Sequence, residues 1–248
     1  MQTTKPRRFF AQVAQMQRIT DDIMRLCLKL PEDLNLQFFA GQYLDIITDD
    51  GQHRSFSIAN APHESDHIEL HIRHVEGGEY THYLFYDMPL TTELELEAPL
   101  GTFYLRENSA RPIILMGGGT GFAPLKGILE HAFHIGVTRP MHLFWGARKH
   151  QDLYLDEQPR EWVEQHSHFR YTPVLSEPHS DWQGETGYVH QVVLAHYPEI
   201  QQSEVYMSGP PKMIDSGREL FLKHGLTMDY LYSDAFEFNS HPGIGLEE

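Results

Sequence analysis

The sequence predicts two joined architectures, a six-stranded antiparallel barrel followed by a five-to-six-stranded parallel sheet of the doubly wound α/β type. Three observations carry this. Short stretches with a period of two fill the chain from Phe9 to about Arg106, strand-like and helix-like stretches alternate after Arg111-Pro112, and the two patterns meet near Asn108-Ser109-Ala110. The expected boundaries are 1–107 for the barrel, 108–238 for the parallel half and 239–248 for a flexible tail containing Pro242, Gly243 and Gly245.

In the first half Met24, Leu26, Leu28 and Leu30 interleave with Arg25, Cys27 and Lys29, so one strand face is apolar. Ile68, Leu70 and Ile72 against Glu69, His71 and Arg73 repeat the pattern, as do Leu94, Leu96 and Ala98 against Glu93, Glu95 and Glu97. Turn residues at Pro31-Glu32-Asp33, Asp49-Asp50-Gly51, Asn60-Ala61-Pro62 and Pro99-Leu100-Gly101 separate the strands. One helical insert, Thr81 to Asp87, is expected to cross an open end of the barrel.

In the second half an apolar strand, Ile113–Met116, runs into a helix striped with Leu125, Ile128, Leu129, Ala132 and Phe133. Strands at Met141–Trp145, Phe169–Leu175, Glu204–Met207 and Tyr230–Tyr232 then alternate with helices at Leu155–His166, Val189–Tyr197 and Pro211–His224. The first junction, Met116-Gly117-Gly118-Gly119-Thr120-Gly121-Phe122-Ala123-Pro124, contains four glycines. It reads either as a tight turn or as an anion site in which free N–H groups and the helix dipole face a pyrophosphate. It is not the full dinucleotide fingerprint, because Phe122 and Pro124 stand where that run requires glycine.

Composition excludes several classes of function. With 248 residues, 40% hydrophobic and 22% charged, the chain is an ordinary globular sequence. A formal charge of −16 argues against nucleic acid or an anionic membrane as partner and is compatible with a basic protein partner. Cys27 is the only cysteine, so an intrachain disulfide, a four-cysteine zinc site and a cysteine-ligated iron–sulfur cluster are all excluded, and a cytoplasmic location is expected. There is no apolar run of about 18 residues and no signal-peptide core. His63, His67, His71 and His74 lie close in sequence but lack metal-ligand spacing, so they read as solvated strand histidines and no metal is expected.

Four ordered motifs carry a family resemblance: Arg54-Ser55-Phe56-Ser57, Gly77-Gly78-Glu79-Tyr80-Thr81, Gly117-Gly118-Gly119-Thr120-Gly121 and Met207-Ser208-Gly209-Pro210-Pro211. With this order and spacing, from Val13 to Phe238, the chain resembles the ferredoxin–NADP reductase superfamily. Phe144-Trp145-Gly146-Ala147-Arg148 brings it nearest to the reductase portion of bacterial oxygenases and to CDP-6-deoxy-glucoseen reductase. The resemblance implies an FAD-binding barrel, an NAD(P)-binding α/β domain and hydride transfer from NADH or NADPH to flavin across an interdomain cleft. Arg54 would pair with flavin phosphate, Ser55 and Phe56 would line the flavin, and Ser57 would bond flavin N5. His71 and Ile72 would border the flavin, and Gly77, Gly78, Tyr80 and Thr81 would take the FAD pyrophosphate.

On the dinucleotide side, the resemblance implies Gly118, Gly119, Thr120, Gly121 and Pro124 around the pyrophosphate, Gly146 and Arg148 toward the adenosine, and Gly209, Pro210 and Met213 near the nicotinamide. Ser208 would stand beside the nicotinamide ring, where many relatives have cysteine, and Ser57 with Ser208 would be the catalytic pair. Phe236 would flank the flavin. The iron–sulfur domain fused to many relatives is expected to be missing, so electrons would pass to a separate ferredoxin or oxygenase component. Two alternatives stay open: a reductase that takes free flavin as substrate, and a regulatory subunit that binds flavin without turnover. The choice between NADH and NADPH, and the oligomeric state, also stay open.

Overall fold

The computed structural model describes residues 5–234. They divide into two compact units, 5–105 with 126–131, and 106–125 with 132–234.

The first unit contains β1 (Arg7–Arg18), β2 (Ile23–Lys29), β3 (Tyr43–Ile47), β4 (His53–Ser57), β5 (His67–Arg73) and β6 (Glu93–Leu100). They form one antiparallel six-stranded sheet in the order β4-β3-β6-β1-β2-β5. A bridge between Ile58, just past β4, and Leu70 on β5 joins the two ends of the sheet into a barrel. The period of two determines the interior. Met24, Leu26 and Leu28 lie opposite Ile72, Leu70 and Ile68, and none of the six is more than 1% exposed. Each such side chain contributes roughly 1.5–3 kcal/mol of transfer free energy. The helical insert starts two residues earlier than the sequence pattern suggests: α1 (Glu79–His82) runs straight into a π-helical turn, Tyr83–Asp87, which buries Leu84 and Phe85 on the barrel core.

Strand β5 departs from simple alternation. Glu69 and His71, expected on a solvated face, are 7% and 6% exposed. The expectation of a solvated His71 is therefore corrected. Residues 126–131 of α2 (Phe122–His134) belong to this unit, and Lys126 of that helix bonds to Glu69 above the outer face of β5.

The second unit contains β7 (Ile113–Gly118), β8 (Met141–Ala147), β9 (Phe169–Leu175), β10 (Glu185–Thr186), β11 (Glu204–Ser208) and β12 (Leu231–Ser233), all parallel, in the order β10-β9-β8-β7-β11-β12. The remaining helices are α3 (Glu157–Gln165), α4 (Val189–His196) and α5 (Pro211–Lys223). Ile114, Met116 and Met207 pack with Val193 of α4 and with Ile214 and Phe221 of α5. Trp145 of β8 stacks on Phe122 of α2 at 4.0 Å, and Phe122 in turn meets Trp162 of α3. From β7 the chain steps outward through β8, β9 and β10, then returns to β11 on the other side of β7. Such a reversal opens a ligand crevice at the carboxyl ends of the two strands where the order switches, here β7 and β11.

Arg139 anchors the start of this unit. Its guanidinium donates to the Glu204 carboxylate at 2.8 Å and to the carbonyls of Arg111 at 3.0 Å and Arg106 at 2.6 Å. Among the described residues no helix is long and apolar enough to cross a membrane.

Candidate cofactor-binding sites

Every residue of β4 is half-buried. Strand alternation puts Arg54 and Phe56 on one face and His53, Ser55 and Ser57 on the other. Arg54 donates to the Gln52 side-chain oxygen at 2.6 Å and makes no ion pair with any described residue. Phe56 and Tyr80 both lie, partly exposed, against the barrel core. Burial pushes the Tyr80 hydroxyl well above the ordinary tyrosine value, and the nearby Arg54 charge pulls the other way. Arg54 thus shares a strand face with Phe56 and its charge is felt at Tyr80, while among the described residues it forms no ion pair and acts on the Asp50 carboxylate only from a distance. That donor set fits a flavin that carries phosphate.

Several of the other expected residues already have partners within the chain. Ser55 donates to the Asp45 carboxylate at 2.5 Å, and the other oxygen of Asp45 bonds to His53 at 2.9 Å, so the Ser55 hydroxyl is turned away from the Arg54 face. Ser57 ends the strand on the Ser55 side. The Thr81 hydroxyl accepts from the Val75 N–H at 3.1 Å and donates to the Gly78 carbonyl at 3.1 Å, so it closes the turn. Gly78 is held by the same turn, since a methyl there would come within 2.9 Å of the Thr81 oxygen. Gly77, at φ +80 with nothing within 4 Å of its absent Cβ, is the open glycine of the pair. The His71 side chain bonds Glu69 at 2.9 Å on the outer face of β5, under α2, and the Ile72 side chain lies in the barrel core on the opposite face.

At the switch point of the second unit two glycine-containing turns interlock. A methyl on Gly121 would lie 2.2 Å from the Ser208 carbonyl oxygen, one on Gly209 would lie 2.8 Å from the Gly118 carbonyl oxygen, and one on Gly118 would lie 2.6 Å from the Met213 sulfur and 3.0 Å from Pro210. At Gly121 and Gly209 the clash is with backbone, so glycine is required there by close approach of one turn to the other. Gly118, Gly121 and Pro124, expected around the pyrophosphate, are buried in the structure. Gly119, at φ +53, and Thr120 are the half-exposed members of the turn. Trp145 donates its indole N–H to the Gly119 carbonyl at 3.0 Å, which fixes the turn from behind.

Ser208 is 1% exposed and donates to the Asp234 carboxylate at 2.5 Å. Its hydroxyl is already engaged where the expectation placed it against nicotinamide. Gly209 is half-exposed and Pro210 exposed at the same edge. Gly146 packs on Val189, and Arg148 is exposed beyond the end of β8. Phe236 lies outside the described residues.

Comparison with known proteins follows this division of the chain. An oxidoreductase FAD-binding domain matches residues 11–104, and an oxidoreductase NAD-binding domain matches residues 115–219. An NAD(P)H-flavin reductase of Vibrio harveyi is 34% identical over 208 residues, 81% of this chain and 87% of that protein. The chain belongs to the ferredoxin–NADP reductase superfamily. Within the superfamily, CDP-6-deoxy-L-threo-D-glycero-4-hexulose-3-dehydrase reductase of Yersinia pestis is 41% identical over 218 residues, 88% of this chain. The chain spans 65% of that relative's length. Among solved structures, the Amycolatopsis cytochrome P450 reductase GcoB superposes with a TM-score of 0.87 at 32% identity, covering 94% of this chain and 70% of that one. The FAD- and NAD-binding assignments of the superfamily therefore apply to the two units in turn.

The sequence motifs do not include the buried Asn60, Glu69 and Lys126 or the half-buried Glu130, a cluster next to β4 and β5. Lys126 and Glu130 are four apart on a helix, which from sequence reads as a solvent-exposed pair. The one available clue is that Lys126 falls between the apolar residues Leu125 and Ile128.

Proposed function

We propose that the protein takes reducing equivalents from a nicotinamide dinucleotide onto FAD and passes them to a separate acceptor protein. One observation carries this reading: a single chain joins an FAD-binding unit, in which Arg54 makes no ion pair with any described residue, to an NAD-binding unit with glycine turns at its topological switch point. FAD, when bound, accepts a hydride from the dinucleotide and releases electrons one at a time.

The chain contributes binding and orientation. Arg54 grips phosphate, Phe56 and Tyr80 offer apolar surface to the rings, and the half-exposed Gly119 and Thr120 present backbone to the dinucleotide. No side chain is required as general acid or base. Likeness to a dehydrase reductase and to a cytochrome P450 reductase supports a separate protein as acceptor. The test is the absorbance spectrum after gel filtration, followed by anaerobic titration with NADH and with NADPH. The reading expects a yellow protein that retains about one FAD per chain and is bleached by one of the two dinucleotides. A yellow protein that neither bleaches would refute it.

A second reading, reduction of free flavin, is supported by the likeness to the Vibrio harveyi flavin reductase. A protein that loses its colour on gel filtration yet oxidises NAD(P)H when flavin is added would favour this second reading.

A further inference from the structure

Buried over the outer face of β5 is an ammonium with a full set of partners. Lys126 Nζ lies 2.9 Å from Glu130 Oε2, 3.2 Å from Glu69 Oε1 and 3.3 Å from the Ala59 carbonyl oxygen. Its three N–H donors thus meet three acceptors. Two of those acceptors lead to the flavin-side segments. Ala59 lies two residues beyond Ser57, the end of β4, and its N–H donates to the Glu69 carbonyl at 2.8 Å. Asn60, next in the chain, accepts from the Glu69 N–H at 2.8 Å and donates to the carbonyls of Glu64 and His67. Helix α2 is pressed onto the same backbone, because a methyl on Gly127 would sit 3.0 Å from the Asn60 carbonyl oxygen and 3.3 Å from that of Ile58. The side chain of Glu69 also holds His71 of β5 at 2.9 Å.

We propose that Lys126 is a positioning residue for FAD: through the Ala59 carbonyl and the Glu69 carboxylate it fixes the exit of β4 relative to β5, and with it the placement of Arg54 and Phe56. This rests on the FAD-binding reading of the first unit. The ammonium does not need to touch the cofactor. It acts by locking together two strand segments whose backbone and side chains the cofactor uses. Asn60 supplies the neutral half of the lock and Lys126 the charged half.

The experiment is titration of apo-protein with FAD, read as quenching of flavin fluorescence, on wild type, Lys126→Met, Lys126→Arg and Glu69→Gln, well below each protein's melting temperature. Lys126→Met is expected to weaken FAD binding by about tenfold, within the range of coupled sites. Lys126→Arg should recover most of the loss, and Glu69→Gln should weaken binding in the same direction. Melting temperatures of the apo-proteins are measured alongside. A role confined to stability would lower the melting temperature of the variants and leave their FAD dissociation constants at the wild-type value, which would overturn the proposal. Should Lys126→Met fail to fold, the isosteric Glu69→Gln decides by the same criterion. Wild type that binds no FAD would instead refute the FAD-binding reading itself, an outcome the wild-type titration separates from the first.

Discussion

Glu69 and Glu130 share the Lys126 ammonium, yet their carboxyl groups are pushed in opposite directions. Burial works to raise Glu69, but the His71 hydrogen bond and the Lys126 charge overcome it and hold the group at about 2. Burial pushes Glu130 up to about 7, outweighing the Lys126 charge and hydrogen bond that oppose it. The folded value of Glu69 lies below its ordinary 4.5, so its stabilisation is present above pH 4.5 and is lost as pH falls toward 2. The folded value of Glu130 lies above 4.5, so its contribution is present at low pH and is lost as pH rises through 7. In thermal melts, the gap between wild type and Glu69→Gln should be widest near neutral pH and should close in acid. Glu130→Gln should gain on wild type as pH rises. A gap constant across the series would count against both assignments. Arg54 gives a separate prediction: a charge-assisted contact to phosphate contributes about 1.5–3 kcal/mol, so Arg54→Ala should weaken FAD binding by roughly ten- to a hundredfold in the same fluorescence titration. Motifs of glycine and arginine show in a sequence because their residue types are unusual at a turn or strand end. Lys126 and Glu69 do not, because an amphipathic helix and an alternating strand look the same whether their polar face is wet or covered.

At the scale of elements, the interlocked turns at the ends of β7 and β11 set the tolerance of this region. Gly121→Ala would drive a methyl into the Ser208 carbonyl, beyond what small side-chain shifts can absorb. The cost should exceed the roughly 1–3 kcal/mol typical of overpacking. Gly136→Ala is the control, since Gly136 has φ +72 but open space around it, and should cost only about 1 kcal/mol. A chemical denaturation series on the two variants distinguishes them; equal losses would mean that the turns do not interlock as described. Most strands were legible because a barrel strand with one face on the core must alternate, and Met24 to Leu28 and Ile68 to Ile72 do so. Strand β10 was not, because two exposed residues, Glu185 and Thr186, show no period. The start of α1 was missed because Glu79 and Tyr80 follow two glycines and carry no capping side chain.

At the scale of the whole molecule, the two-part architecture was readable from the change of grammar near residue 108, since antiparallel and doubly wound sheets impose different patterns on their strands and connections. What no pattern in the chain announces is the commitment of 126–131, in the middle of a helix, to the barrel unit. If FAD phosphate is what Arg54 recognises, riboflavin, which has none, should protect the protein from heat far less than FAD at equal concentration. FAD at about a hundred times its dissociation constant should add about 2.7 kcal/mol of stability. Equal protection by the two flavins in a melting experiment would show that phosphate is not gripped.

Trp145 stacks on Phe122 and its indole nitrogen holds the Gly119 carbonyl. The molecule therefore carries an intrinsic fluorophore wired to the Gly119 turn, so the Trp145 share of its emission should report any tightening or loosening of that turn without an added label.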